Sequence, residues 1–289
     1  MHAAVAVLRD AGVEADAQPT QGSGTAGDQA RVAVASGCDT IFACGGDGTV
    51  NDVLQGLVNT DAALGVIPLG TANALAHDLK LPFSAVAAAR IALVARRQRV
   101  AVGRMDYRGF DNRNGSRYFT VAAGVGVDAH LFYKLNMLLK GRLGMAAYYF
   151  QATQLWLTHR MQNFAVEIGE LCHQDVSQLL AVRIRDFGGI LRELAPGASL
   201  ERNDLRLVLC RTTSRVAYLR YVLRGLVASQ KGVQGIELHN GTRVLCRTTS
   251  GAFQPRIYVE ADGELLGTLP AEISIVPHAL TLLIPSKTT

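Results

Sequence analysis

The chain has 289 residues, 49% of them hydrophobic and 18% charged, which is enough to bury one or two cores. Its 29 Lys and Arg against 24 Asp and Glu leave a net charge of +5, which suits an anionic partner without choosing among nucleotide, lipid and nucleic acid. No apolar run approaches the ~18 residues that cross a bilayer, so any membrane contact is expected to be peripheral. The five cysteines are odd in number and lack CxxC or zinc spacing, which reads as reduced cytosolic thiols.

In chain order, Val5, Leu8 and Val13 fall near helical spacing. A polar loop follows at residues 20–27, and residues 30–35 read as helix. Residues 40–44 form a short apolar run between glycines, the pattern of a buried strand. Val50, Val53, Leu54 and Leu57 recur at i, i+3, i+4, i+7 and predict an amphipathic helix. A strand at 64–69 and a helix at 72–79 come next. This alternation predicts a parallel, doubly wound α/β domain over residues 1–98.

After the basic residues Arg96, Arg97 and Arg99 the texture changes. Strand-like runs at 117–123, 163–168, 179–185, 205–209, 235–238, 256–260 and 280–284 predict a mainly β, sandwich-like domain over residues 99–289. Helix-like stretches at 131–160 and 215–227 interrupt it. The string Val-Leu-Cys-Arg-Thr-Thr-Ser occurs at 208–214 and again at 244–250, and reads as two similar strand ends.

The strongest chemical signal is Gly45-Gly46-Asp47-Gly48-Thr49-Val50-Asn51-Asp52, set between a buried strand and an amphipathic helix. Glycines let main-chain amides approach a phosphate, and the helix N-terminus adds donors and a positive dipole end. Thr49 is placed to cap that helix, with Asp52 as its capping-box partner. A carboxylate among phosphate-binding amides suits magnesium–phosphate chemistry or a hydroxyl base, so Asp47 is expected to matter for transfer and little for folding. A second strand-to-helix loop, Leu69-Gly70-Thr71-Ala72-Asn73, offers Thr71 and Asn73 side chains at its helix start. A parallel sheet brings both loops to one carboxyl edge.

With GGDGTVNDV followed by GVIPLGTANALAHDL, the chain resembles the diacylglycerol kinase catalytic-domain family, which includes sphingosine kinases and bacterial lipid kinases. Three further stretches are similar to family motifs: Thr20-Gln21-Gly22-Ser23-Gly24, Ala123-Gly124-Val125-Gly126-Val127-Asp128-Ala129, and Ala261-Asp262-Gly263-Glu264. The resemblance implies a nucleotide domain and a lipid domain with the active site between them. It implies transfer of the γ-phosphoryl group of ATP, with Mg2+, to a lipid hydroxyl, diacylglycerol or a related lipid. Carried over by motif, Thr20, Gly46, Asp47, Gly48, Thr49, Val50, Asn51, Asp52 and Thr71 would line the nucleotide. Glu264 would be the general base, and Asp47 and Asp128 would organise magnesium and water. Family members usually open with a strand that this sequence does not show before Met1. Many bacterial relatives carry a structural magnesium site where this chain has Arg202, leaving Asp204 as the remaining candidate ligand.

Residues 131–160 hold Lys134, Lys140, Arg142 and Arg160 beside Phe132, Tyr133, Tyr148, Tyr149, Phe150 and Trp156, with no acidic residue. That composition fits an interfacial membrane surface, and equally a solvated basic helix with a buried aromatic face. The expected partners are a lipid substrate and an anionic membrane met peripherally from the cytoplasm, with no nucleic acid. A homodimer is left open. Two alternatives stand beside the lipid kinase: an enzyme resembling NAD kinases, which share the GGDGT loop, and a catalytically impaired lipid- or nucleotide-binding protein.

Overall fold

The structure is a computed structural model and describes residues 1–22, 24–126, 161–188, 194–214, 216–217, 220, 234–249 and 256–286. The expected helical stretch at 131–160 lies outside these residues, and of 215–227 only 216, 217 and 220 fall within them.

The N-terminal layers follow from side-chain alternation on two parallel strands, β1 (Thr40–Gly45) and β2 (Ala63–Pro68), aligned from Thr40 opposite Ala63 to Gly45 opposite Pro68. Phe42, Cys44 and Ile67 turn to one face and pack with Ala4 and Leu8 of α1 (His2–Asp10) and Ala88 and Ala89 of α5 (Ala85–Leu93). Ala43, Leu64 and Val66 turn to the other face. There they meet Ala26 and Ala30 of α2 (Ala26–Ala35) and Val53, Leu54 and Leu57 of α3 (Asp47–Leu57). A short α4 (Ala74–Asp78) follows β2. Helices cover both faces of a parallel pair, as the periodicity predicts.

The second part is strand-rich. β3 (Arg96–Arg108), β4 (Asn114–Phe119) and β5 (Ala122–Gly126) are followed by β6 (Phe164–Ile168), β7 (Leu171–Val176) and β8 (Gln178–Val182). β9 (Leu205–Cys210), β10 (Ile236–Gly241), β11 (Arg243–Thr248), β12 (Tyr258–Ala261) and β13 (Glu264–Ile284) complete it. Among the described residues the main path runs β10-β9-β8-β5-β12-β13-β11-β6-β7, and β3 joins it by pairing with β13 and β4. Inward residues such as Met105, Phe119, Val125, Phe164, Val244 and Val259 fill a second core. Strands such as β8 and β9 are buried on both faces, with Leu180, Val182 and Val208 in the first core and Leu179, Ala181, Leu207 and Leu209 in the second, which is why they read as continuous apolar runs in the sequence.

Three details depart from the sequence reading. Residues 117–123 form two strands, because the chain breaks at Thr120 and Val121 to give its amides to Asp262. The basic residues at 96–99 open a strand that runs unbroken to Arg108. There Arg97 donates to the carbonyls of Asp39 and Asp61, binding the strand to loops of the first domain. β13 also returns to that domain, with Thr281 and Leu282 beside Ala63 and Leu64 of β2. The two copies of the repeated string differ in setting: the first leaves β9 after Cys210, while the second stays in β11 through Thr248.

One side chain ties helix α3 to the second domain. Gln55 donates through Nε2 to the carbonyl of Tyr118, 2.9 Å away, and accepts from its amide through Oε1 at 3.0 Å. Gln55→Ala removes partners from two main-chain groups of β4, each costing about 1–3 kcal/mol when left unpaired in the interior. A loss of at least about 1 kcal/mol in urea unfolding is expected.

Candidate active site

The loops after β1 and β2 meet at the carboxyl edge of the parallel pair, where Leu69 N–H donates to the Gly45 carbonyl. Gly46 and Gly70 allow the approach. A Cβ on Gly46 would sit 3.2 Å from Gly70 Cα, and one on Gly70 would press still closer on Gly46 Cα. Gly48 is different: a Cβ there would meet nothing within 4 Å, so packing does not require a glycine at this position.

Asp47 clips the loops together. Its Oδ2 accepts from Asn73 N at 2.9 Å and its Oδ1 from Ala74 N at 2.7 Å, so it caps α4 from across the edge. This corrects the expectation that Asp47 contributes little to folding. Asn73, in the left-handed conformation at φ 52°, spends its side chain on Gly70, accepting from N and donating to O. The expected capping of α3 by Thr49 is also corrected. The helix starts at Asp47 with Gly46 as N-cap, Thr49 lies inside the first turn, and no side chain caps the end. The first-turn amides therefore keep their donors for an anion, the arrangement that favours phosphate.

Other predicted lining residues divide by depth. Gly48, Thr20 and Thr71 are exposed, whereas Val50 is 5% exposed and belongs to the core. Asn51, 1% exposed, accepts from Gln55 within α3. Val50 falls about half a turn from Gly48 and so faces the core, whereas Asn51 is enclosed where Gln55 reaches across to Tyr118 of β4. Asp52 sits at the join, accepting from Gly24 N at 2.8 Å and from Arg117 Nη2 at 2.8 Å. It fastens the loop after Thr20 to α3. Asp128 lies outside the described residues.

Glu264 comes to this edge on a tight hairpin. Asp262 and Gly263 have φ 47° and 79°, and Ala261 pairs with Glu264, giving a two-residue turn with both central residues left-handed. Asp-Gly is a preferred pair for such a turn. The Asp262 carboxylate accepts from the amides of Thr120, Val121 and Ala122 at 2.9–3.0 Å. Burial, with Asp47 nearby adding to it, raises this carboxyl to about 6 against the pull of those three amides. Glu264 Oε2 accepts from Arg117 Nη2 at 2.6 Å. Burial lifts the Glu264 carboxyl above its ordinary value, while Arg117 pulls it back.

Arg117 is the member that sequence reasoning missed. It lies on β4 and shares one nitrogen between Asp52 and Glu264, carboxylates from two domains. An isolated arginine in a strand carries no motif, and its only signal was alternation within 114–119.

The proposed magnesium ligand Asp204 is engaged elsewhere. Arg202 donates to both its oxygens at 2.6 Å, and the buried Arg183 donates to the carbonyls of Asp204, Leu200 and Ala101. Two guanidinium groups thus satisfy the oxygens that a cation in this loop would need.

Two outcomes follow from this geometry. Asp47→Ala is expected to lower stability by about 0.5–2 kcal/mol in chemical denaturation, the range for losing a helix cap. Arg117→Met removes the group that holds the Glu264 proton affinity down. Any activity that needs ionised Glu264 will show its acidic limb at higher pH in Arg117→Met than in the wild type, read from kcat/KM profiles.

Similarity to known proteins shows the family. Residues 1–105 match the family described as diacylglycerol kinase catalytic domain, and residues 120–284 match the YegS C-terminal NAD kinase beta sandwich-like domain. A protein named diacylglycerol kinase from Mycobacterium tuberculosis (strain ATCC 25618 / H37Rv) is 30% identical over 286 residues, 98% of this chain and 89% of that one. One of the same name from Bacillus subtilis (strain 168) is 28% identical over 283 residues, 97% of this chain and 89% of that one. A crystal structure titled as a diacylglycerol kinase from Bacillus anthracis str. Sterne superposes with TM-score 0.64 at 19% identity, covering 93% of this chain and 84% of that one, which establishes the fold. With its catalytic-domain match, its β-sandwich match and relatives aligned along nearly their whole length, the chain belongs to the diacylglycerol kinase family of lipid kinases.

Proposed function

We propose that the chain transfers the γ-phosphoryl group of Mg-ATP to the hydroxyl of a lipid, with diacylglycerol the first acceptor to test because its relatives carry that name. The observation that carries this reading is the uncapped N-terminus of α3, with open space over Gly48, joined through Asp52 and Arg117 to the raised carboxyl of Glu264. A phosphate acceptor site and a proton acceptor thus share one edge.

The chemistry then runs as a direct displacement. The ATP phosphates rest on the first-turn amides of α3, with Thr20, Thr49 and Thr71 as further donors. Magnesium arrives with the nucleotide as part of the substrate. Asp47 and Asp128 are the residues proposed to face it. A carboxylate has lone pairs beyond those that Asn73 N and Ala74 N occupy on Asp47, so the clip and a metal contact are compatible. Glu264 Oε2 is held by Arg117, and its other oxygen has no hydrogen-bond partner among the described residues. That oxygen takes the proton of the lipid hydroxyl as the hydroxyl oxygen bonds to the γ-phosphorus. The bond from phosphorus to the bridging oxygen breaks, and ADP leaves with that electron pair. Phosphoryl transfer depends mainly on such positioning and charge neutralisation.

No described helix is long and apolar enough to cross a membrane. We place the protein against the cytoplasmic surface of an anionic membrane, which its lipid acceptor requires it to reach. The basic, aromatic composition of residues 131–160 supports this reading.

The deciding assay supplies labelled ATP and magnesium with mixed-lipid anionic vesicles, and NAD in a parallel tube. Labelled lipid supports the proposal. Labelled NAD alone favours the NAD kinase alternative, and no labelled product favours a binding protein. With the lipid product in hand, Glu264→Gln is expected to lower kcat by about 10²–10⁴, the usual contribution of a general base, with nucleotide affinity nearly unchanged. Near wild-type turnover in Glu264→Gln, with Asp47→Asn inactive, assigns the base to Asp47.

A further inference from the structure

The strand path ends in β7 on one side and β10 on the other, yet these two edges face each other in space. Strand alternation puts His173 and Asp175 on one face of β7, and Glu237 and His239 on one face of β10. The alternate residues Ile236 and Leu238 pack on the other side, against the first core. The four polar side chains therefore meet across the seam.

Their contacts are asymmetric. Arg211 donates to Glu237 Oε1 at 2.8 Å, and its own charge is matched by Asp175, which accepts from Nε at 2.9 Å and from Nη2 at 3.0 Å. Glu237 is thereby held with Oε2 toward the two imidazoles. His239 Nε2 lies 3.0 Å from that oxygen and His173 Nε2 3.8 Å. The three atoms fall within 4.8 Å of one another. His173 Nε2 is buried without a hydrogen-bond partner among the described residues and faces the cluster. A buried polar atom of this kind calls for an occupant.

We propose that His173, Glu237 and His239 form a binding site for a divalent transition-metal ion of the zinc class, clasping the two edges of the sheet path together. Two imidazole nitrogens and one carboxylate oxygen are a common donor set for zinc. Bonds of about 2.0–2.2 Å to a tetrahedral ion separate the ligand atoms by about 3.3–3.5 Å, so small side-chain adjustments close the present spacing onto an ion. Water takes the fourth position. Arg211 and Asp175 form the outer support that fixes the Glu237 carboxylate, the role that hydrogen-bonded neighbours play around metal ligands. Hard magnesium prefers oxygen donors, so the nucleotide's ion does not compete for this site.

The test uses the full chain, stripped with chelator and dialysed into excess magnesium. Titration with zinc chloride is followed by calorimetry, and titration with cobalt chloride by visible absorption. One equivalent of zinc is expected to bind and to raise the melting temperature. Cobalt should show the intense bands of a low-symmetry site and lose them when zinc is added. His173→Gln and His239→Gln should each weaken zinc binding at least about tenfold, since even removal of an outer-sphere partner typically costs that much. His278→Gln, at an exposed histidine on β13, should leave it unchanged. Absence of a zinc equivalent in the wild type, or unchanged affinity in both seam variants, overturns the proposal. Loss of binding in His278→Gln alone does the same. If the seam variants do not fold, the wild-type cobalt spectrum decides, because a spectrum of water-only coordination removes the site.

Discussion

The Nη2 group of Arg117 donates at once to Asp52 on α3 and to Glu264 on β13, so carboxylates from two domains rest against one cation. Without the guanidinium, Asp52 and Glu264 would repel each other and the hairpin would lose its hold on the helix behind the glycine-rich loop. Arg117 is itself largely enclosed, with 20% of its side chain exposed, so solvent screens the pair of contacts only partly. The distance between the N-terminal half of α3 and Glu264 is set here.

Around that contact the main chain supplies most of the order. Asp47 and Asp262 each spend their carboxylate on amides of a neighbouring segment, Asp47 on Asn73 and Ala74, Asp262 on Thr120 to Ala122. Both carboxylates act as structural clamps between segments distant along the chain. Gln55 adds a third clamp between α3 and Tyr118. The site is therefore positioned by side chains gripping backbone, which holds loops more firmly than pairs of flexible side chains.

The same logic appears at the far end of the sandwich. β7 and β10 have a ladder partner on one side only, β6 and β9 respectively, and an uncovered edge invites pairing with another chain. Ionic and imidazole groups across the seam give those edges a partner within the molecule. The two domains are joined more conventionally, by β13, which pairs with β3 along most of its length and sets Thr281 and Leu282 beside Ala63 and Leu64 of β2.

The sequence by itself determined the α/β character of the first domain, the strand-rich second domain and the two glycine-rich loops at the carboxyl edge of the parallel pair. It could do so because periodic burial and glycine-bounded turns are local signals, carried by residues such as Val50, Val53, Leu54 and Leu57 or Gly46 and Gly70. The Asp-Gly-Glu motif was likewise legible, since a two-residue left-handed turn has a local preference for Asp-Gly. Partners distant along the chain were decided only in the tertiary structure. Nothing near Asp47 shows that its carboxylate caps α4, nothing near Arg117 shows that it bridges residues 65 positions before and 147 after it, and nothing near His173 points to Glu237 and His239. Such contacts depend on how strands register and close, and a long-range hydrogen bond leaves no periodic trace in either of the segments it joins.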